Sequence, residues 1–275
     1  MTGKVVLITG SSAGIGRSTA ELFAASGWQV AATLRKPQDA PKFADANGRI
    51  KTFALDVTDP ASITRAIGDV IAAFGQIDAV VNNAGYGLVG PFEAIDDAQI
   101  RRQFETNVFG LMNVTRAVLP HMRERRAGVI INVASVGGRL TFPYYSLYHA
   151  TKWAVEGFSE SLAYELSEFN IRVKIIEPGP IKTDFYSRSM DEPTPANLGS
   201  YATTFQRVNA RMKKSGNGAP GPHVVAEAIL KAATDTSNTM RYAPNGGAML
   251  AFRRIAGPSV YMSTMRRMLS MPSKS

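Results

Sequence analysis

Short branched-aliphatic runs alternate along this chain with longer segments whose apolar positions recur every three or four residues. The first run, Val5-Val6-Leu7-Ile8, predicts a strand over 5–9. A helix follows from about Gly14, with Ile15, Thr19, Leu22 and Phe23 on one face and Gly27 as its stop. Strands are predicted over 29–33 and 50–55. Asp59-Pro60 then opens a helix, as an N-cap followed by a first-turn proline, with Ile63, Ile67, Val70, Ile71 and Phe74 on its apolar face. A strand over 77–81 leads to a long helical pattern over 97–122, with Pro120 near its end. Next come a strand over 129–133, a helix over 148–169 and a strand over 172–176. Beyond Pro178 the pattern loosens, with helical stretches over 201–213 and 224–233 and a short strand over 240–243. Strand–helix alternation predicts an α/β fold, a Rossmann-like doubly wound parallel sheet of about seven strands with helices on both faces. The whole of 1–275 reads as one domain. Within it, 184–222 reads as a lid over the substrate and 245–275 as a basic C-terminal extension.

Composition narrows the chemistry. The chain has no cysteine, which excludes disulfides, thiolate catalysis and cysteine-ligated zinc. Its histidines, His121, His149 and His223, are far apart, and each reads as a solvated or hydrogen-bonded residue rather than a metal ligand. Neither a signal peptide nor a membrane-spanning run is visible, so a cytoplasmic protein is expected. Of the +9 net charge, six positive charges follow Asp235, the last acidic residue: Arg241, Arg253, Arg254, Arg266, Arg267 and Lys274. A basic tail on a nearly balanced body, with no recognised motif, predicts no nucleic-acid partner.

The strongest local signal lies between the first strand and first helix, in Thr9-Gly10-Ser11-Ser12-Ala13-Gly14-Ile15-Gly16. Gly10 permits a tight turn, Gly14 lets the backbone approach a pyrophosphate, and Gly16 permits close helix–strand packing. Phosphates would meet free N–H groups and the positive end of the helix dipole. Here the spacing of the glycines resembles that of the short-chain dehydrogenase/reductase family. Further matches follow in family order: Asn82-Asn83-Ala84-Gly85, Asn107, Ser135, Tyr148-His149-Ala150-Thr151-Lys152 and Pro178-Gly179. The resemblance covers residues 4–184 firmly and the remainder loosely.

Tyr148 and Lys152 are four apart on a predicted helix and so share one face. A free tyrosine has a pKa of about 10, too high for efficient proton transfer at neutral pH. An ammonium about 4 Å away favours the phenolate by roughly 4 kcal/mol at an effective dielectric near 20, an upper-end shift of about three pKa units. Tyr144 and Tyr145 have Tyr148 and His149 four residues on and lack such a lysine. The resemblance implies that Tyr148 transfers the proton and that Lys152 also binds the nicotinamide ribose. It further implies that Ser135 holds the substrate oxygen and that Asn107 bends its helix and anchors a water. Asp56-Val57 would contact adenine, and Ile181 and Thr183, after Pro178, would meet the carboxamide. Ser12, Ile15 and Asn83 complete the expected cofactor site. Asp56 also reads as a turn residue, and Thr183 as an N-cap.

At the end of the second strand the chain reads Leu34-Arg35-Lys36. Two cations and no carboxylate favour a 2′-phosphate, hence NADP as cofactor, with Arg35 as its partner. The expected function is an NADP-dependent oxidoreductase that interconverts a carbonyl and an alcohol. The alternative is a catalytically silent NADP-binding sensor or scaffold. Leu88, Val89, Phe142, Pro143, Tyr145, Phe185, Tyr186, Met190, Leu198, Tyr201, Phe205 and Met212 are expected around an apolar mouth, which suits a hydrophobic small-molecule substrate. The helical patterns over 97–122 and 148–169 are those through which the family forms dimers, so a homodimer is expected. A basic helix carrying Met262, Met265, Met268 and Leu269 fits either a membrane surface or packing on its own protein, and packing is the favoured reading. If the extension folds back over the seventh strand, it covers that edge, and a dimer rather than a tetramer is expected.

Overall fold

The computed structural model of the chain describes residues 3–45, 47–183, 185 and 189–271. Seven strands form one parallel sheet: β1 (Val5–Thr9), β2 (Gln29–Leu34), β3 (Ile50–Ala54), β4 (Ala79–Asn82), β6 (Gly128–Val133), β7 (Ile171–Ile176) and β9 (Arg241–Tyr242). They lie in the order β3-β2-β1-β4-β6-β7-β9. Two further short strands, β5 (Gly87–Leu88) and β8 (Met190–Asp191), pair with each other beside the sheet. The chain runs outward from β1 through β2 to β3, then crosses back to place β4 on the other side of β1. That reversal opens a crevice at the carboxyl ends of β1 and β4, where doubly wound sheets bind ligands.

Helices cover both faces, which is why the central strands are almost wholly apolar rather than alternating. On one face Val5, Leu7, Val80 and Ile130 pack against α2 (Pro60–Phe74), α4 (Leu111–Arg125) and α5 (Ser146–Leu166), meeting Ile63, Val70, Val114, Val118 and Leu162. On the other, Val6, Ile8, Val81 and Ile131 meet Phe23 of α1 (Gly14–Ala25) and Val225 and Ile229 of α7 (His223–Thr234). Burial of each such side chain contributes about 1.5–3 kcal/mol. Local signals end α2 as expected: Asp59 Oδ1 accepts from Ala61 N at 2.9 Å, and Gly75 closes it in the left-handed region.

Three segments depart from expectation. The pattern over 97–122 is not one α-helix but α3 (Asp97–Phe104), a π-helical turn (Glu105–Gly110) and α4. The fourth strand begins at Ala79, two residues later than predicted, although Asp78 N already donates to Val5 O at 2.9 Å and Asp78 O accepts from Val129 N at 3.0 Å. Ile77 N donates to His121 Nε2 at 3.1 Å, and the Asp78 carboxylate accepts from Val5 N at 2.7 Å. Finally, the C-terminal extension forms α8 (Gly247–Met268), bent at Gly257 into two arms. Its contacts include the loop after β6 and the crevice. Tyr261 is buried against Val136, Leu140, Phe142 and Met265, and its hydroxyl donates to Thr141 O at 3.1 Å. The far end of α8 is held by α6 (Ala202–Asn217), through Arg211 Nη1 to Met268 O at 2.7 Å.

Candidate active site

The turn between β1 and α1 is shaped by its glycines. Gly10 and Gly14 have φ of +72° and +53°, the left-handed region that side chains disfavour. A Cβ on Gly16 would sit 2.2 Å from Gly10 O, so helix and turn meet backbone to backbone. Asn83 Nδ2 donates to Thr9 O and Gly10 O at 2.9 and 3.1 Å, and Thr9 Oγ1 accepts from Asn83 N and Ala84 N, each at 3.0 Å. Asn83 thus ties the loop after β4 to the glycine turn, a role that motif reading alone did not assign. The N-cap of α1, Ala13, makes no side-chain hydrogen bond to the first turn. These features fit a dinucleotide: a rigid cradle with no side chain in the way and helix N–H groups left for an anion.

A single cleft of about 1520 Å³ joins this cradle to the residues of α5. Gly10, Ser12, Gly14, Ile15, Arg35, Asp56, Val57, Asn83, Ser135, Tyr148, Lys152, Pro178, Ile181 and Thr183 all line it. Of the expected site residues only Gly16 and Asn107 stand behind its wall. Leu34 is buried while Arg35 and Lys36 are exposed at the end of β2. Asp56 Oδ1 accepts from Thr58 N and Thr58 Oγ1 at 2.9 and 2.7 Å, so its carboxylate builds a turn at the cleft edge. Thr183 Oγ1 accepts from Phe185 N at 3.2 Å, as an N-cap would.

Tyr148 and Lys152 lie one turn apart on α5. The Lys152 ammonium is 5.8 Å from the centroid of the Tyr148 ring and donates to Val133 O at 2.8 Å. Burial pushes the Lys152 pKa down to about 8, against the pull of Glu156, so the lysine stays mainly cationic at neutral pH. Glu156 is itself pushed up by burial and by Glu177. Both acids meet Arg241 at 3.1 Å, which locks β9 to α5 and β7 beneath the site. Ser135 Oγ accepts from Gly137 N at 3.0 Å, which leaves its O–H as a donor toward the cleft.

Asn107 explains the π turn. Its Oδ1 accepts from Tyr86 N at 3.0 Å, and its Nδ2 donates to Tyr86 O at 2.8 Å and Thr151 Oγ1 at 3.3 Å. The side chain pairs with a backbone segment as a neighbouring strand would, and the helix widens to aim it there. His149 supports the other side. Its Nε2 accepts from Phe142 N at 2.9 Å, so Nδ1 carries the proton and donates to Gly137 O at 2.8 Å.

The substrate end of the cleft differs from expectation in its walls. Phe142, Tyr145, Phe185, Met190 and Met212 line it as predicted. Leu88 and Val89 do not; both are buried, with Leu88 packed on Ile95 and Leu147. Leu198 and Phe205 pack on Ala94 and Tyr144 instead, and Tyr201 donates to Glu93 at 3.0 Å. Pro143 is not among the lining residues, and Tyr186 lies outside the described residues. In their place the cleft is closed by Met249, Phe252, Met265, Met268 and Leu269 of the C-terminal extension. The cluster of methionines there was the available signal, but nothing local said which surface they would face. Within 189–222, Glu192 Oε1 accepts from Asn209 Nδ2 and Lys213 Nζ at 3.0 and 2.8 Å, and Asp191 ties the segment to α3 by accepting from Gln99 Nε2 and Arg102 Nη2 at 3.2 and 3.3 Å.

The short chain dehydrogenase family model matches residues 4–194. The chain belongs to that family. A 3-ketodihydrosphingosine reductase from Bacteroides thetaiotaomicron is 37% identical over 232 residues, 84% of each chain. A solved short-chain dehydrogenase from Streptomyces avermitilis superposes with a TM-score of 0.81 at 35% identity, covering 99% of both chains. ElxO, solved with NADP bound, has a TM-score of 0.72 at 27% identity over 90% of this chain and 99% of its own. A 3-ketoacyl-(acyl-carrier-protein) reductase from Brucella melitensis, complexed with NADH, has a TM-score of 0.70 at 28% identity over 88% and 97%. As a short-chain dehydrogenase the chain is an oxidoreductase of small molecules that uses a nicotinamide cofactor. Among the described residues no helix is long and apolar enough to cross a membrane.

Proposed function

We propose that this short-chain dehydrogenase uses NADP(H) to interconvert a carbonyl and an alcohol on a lipophilic substrate, with Tyr148 as the proton-transferring residue. The observation that carries this reading is one cleft shared by the glycine cradle, Ser135, Tyr148 and Lys152. Held by the Gly10–Gly16 turn and Lys152, NADPH would supply a hydride to the carbonyl carbon, and NADP would accept one in reverse. Ser135 donates its O–H to the substrate oxygen and holds it as negative charge develops there. Tyr148 gives that oxygen its proton, and the Lys152 charge favours the phenolate left behind. Lys152 is oriented by Val133 O, and Asn107 holds the loop beside it.

Cofactor choice rests on Arg35 at the end of β2, where a carboxylate selecting a free ribose is absent. Ser12, Ile15, Asp56, Val57, Pro178, Ile181 and Thr183 line the remaining cofactor half. The substrate class rests on the wall of Phe142, Phe185, Met190, Met212, Met249 and Met265, flexible and polarisable side chains suited to a long apolar molecule. The enzyme works as a homodimer through the α4 and α5 faces, where Phe109, Trp153 and Tyr164 are 48%, 49% and 83% exposed.

The test is oxidation of NADPH against a panel of ketones and aldehydes of increasing chain length. Turnover rises with chain length, and Tyr148→Phe lowers it by about 10²-fold or more while NADPH binding stays nearly intact. Full turnover in Tyr148→Phe would overturn the assignment.

A further inference from the structure

The two arms of α8 are unequal in what they bury. Tyr261 and Leu269 turn inward, and Met249, Phe252, Met265 and Met268 close the cleft. The bend between the arms does the opposite. Ile255 is 85% exposed, Val260 54% and Met262 52%, with Pro258 exposed between them. All four lie within five residues of Gly257, whose φ of +71° turns the chain at the tip between the arms. Arg253 and Arg254 stand just before the bend, Arg266 and Arg267 in the last turn of the second arm, and the chain has no acidic residue after Asp235.

We infer that the bend of α8 docks on an anionic lipid surface, with Ile255, Pro258, Val260 and Met262 entering the headgroup layer and the arginines meeting lipid phosphates. A second copy of the chain fits poorly, because two tips in contact would bring together Arg253 and Arg254 of each chain with no carboxylate in either α8. Exposed aliphatic side chains on a helix that carries arginines and no carboxylate suit a membrane surface. Its position adds a reason. Phe252 and Met265 belong to these same arms and line the cleft, so a docked tip holds the cleft mouth beside the lipid. The inference does not depend on the reaction catalysed.

The experiment is co-sedimentation of the intact protein, with NADPH bound, on vesicles of phosphatidylcholine alone and of phosphatidylcholine mixed with phosphatidylglycerol. Binding is expected on the mixed vesicles and is expected to weaken with added salt. Arg254→Gln with Arg267→Gln lowers partitioning on the order of tenfold, and Ile255→Glu with Val260→Glu lowers it at least as far. None of these residues lines the cleft, so NADPH binding and melting temperature stay unchanged. Because the chain has no cysteine, Ile255→Cys also gives one attachment site for an environment-sensitive dye. Its emission shifts to the blue on mixed vesicles if the tip inserts. No binding to mixed vesicles, binding indifferent to the Ile255 and Val260 changes, an unshifted dye, or a self-association abolished by Ile255→Glu would each overturn the inference.

Discussion

His149 shows how one buried ring sets the shape of the loop beside Ser135. Both its nitrogens are engaged, by Phe142 N and Gly137 O, and burial pushes its pKa down to about 4. An unfolded histidine titrates near 6.5, so below that pH the unfolded chain binds a proton that the folded one refuses. Stability attributable to this residue is therefore present above about pH 6.5 and is lost as pH falls toward 4. Between pH 7 and pH 5 the loss is about 2 kcal/mol. Urea unfolding at the two values measures it. In His149→Gln the pH dependence over this window flattens by that amount; an unchanged slope would show that the ring is not held neutral. Glu156, pushed up by burial, works in the opposite sense, which makes the comparison with the variant necessary.

At the scale of elements, the β2 end and the π turn teach different lessons. Cofactor preference is local: it depends on which residues leave the carboxyl end of β2, and these are Leu34, Arg35 and Lys36 in plain sequence order. Calorimetric titration is expected to show tighter binding of NADPH than NADH. Arg35→Ala removes about tenfold of that preference, the scale of one exposed charge-assisted hydrogen bond. Equal affinities in the unaltered protein would refute the reading. The break between α3 and α4 is not local. Periodicity in Glu105–Gly110 announces no break; only the resemblance marked Asn107 as bending its helix, because the cause is the Tyr86 backbone some twenty residues earlier, which the Asn107 side chain reaches.

For the whole molecule the open question is assembly. Trp153, Gly157, Glu160 and Tyr164 fall at helical spacing on the exposed face of α5, and Phe109, Arg116 and Pro120 are exposed along the π turn and α4. A dimer through these faces would remove three large aromatic groups per chain from water, Phe109, Trp153 and Tyr164. Light scattering is expected to give about twice the 29.6 kDa chain mass, and Trp153→Glu a monomer that keeps its fold. A monomer before any substitution would exclude this interface.

By itself the sequence determined the α/β class, the sheet strands, the glycine turn and the Tyr148–Lys152 pair. Each of these is written within a few residues: strands in aliphatic runs, the turn in three glycines, the pair in a spacing of one helical turn. Tertiary structure alone decided what depends on distant neighbours. It began the fourth strand two residues later, at Ala79. It turned Leu88 and Val89 inward and assigned Asn83 to the glycine turn. It also brought α8 across the cleft, where methionines that local pattern left without a direction became part of its wall. Burial is a property of what lies opposite, and periodicity names a face without naming its partner.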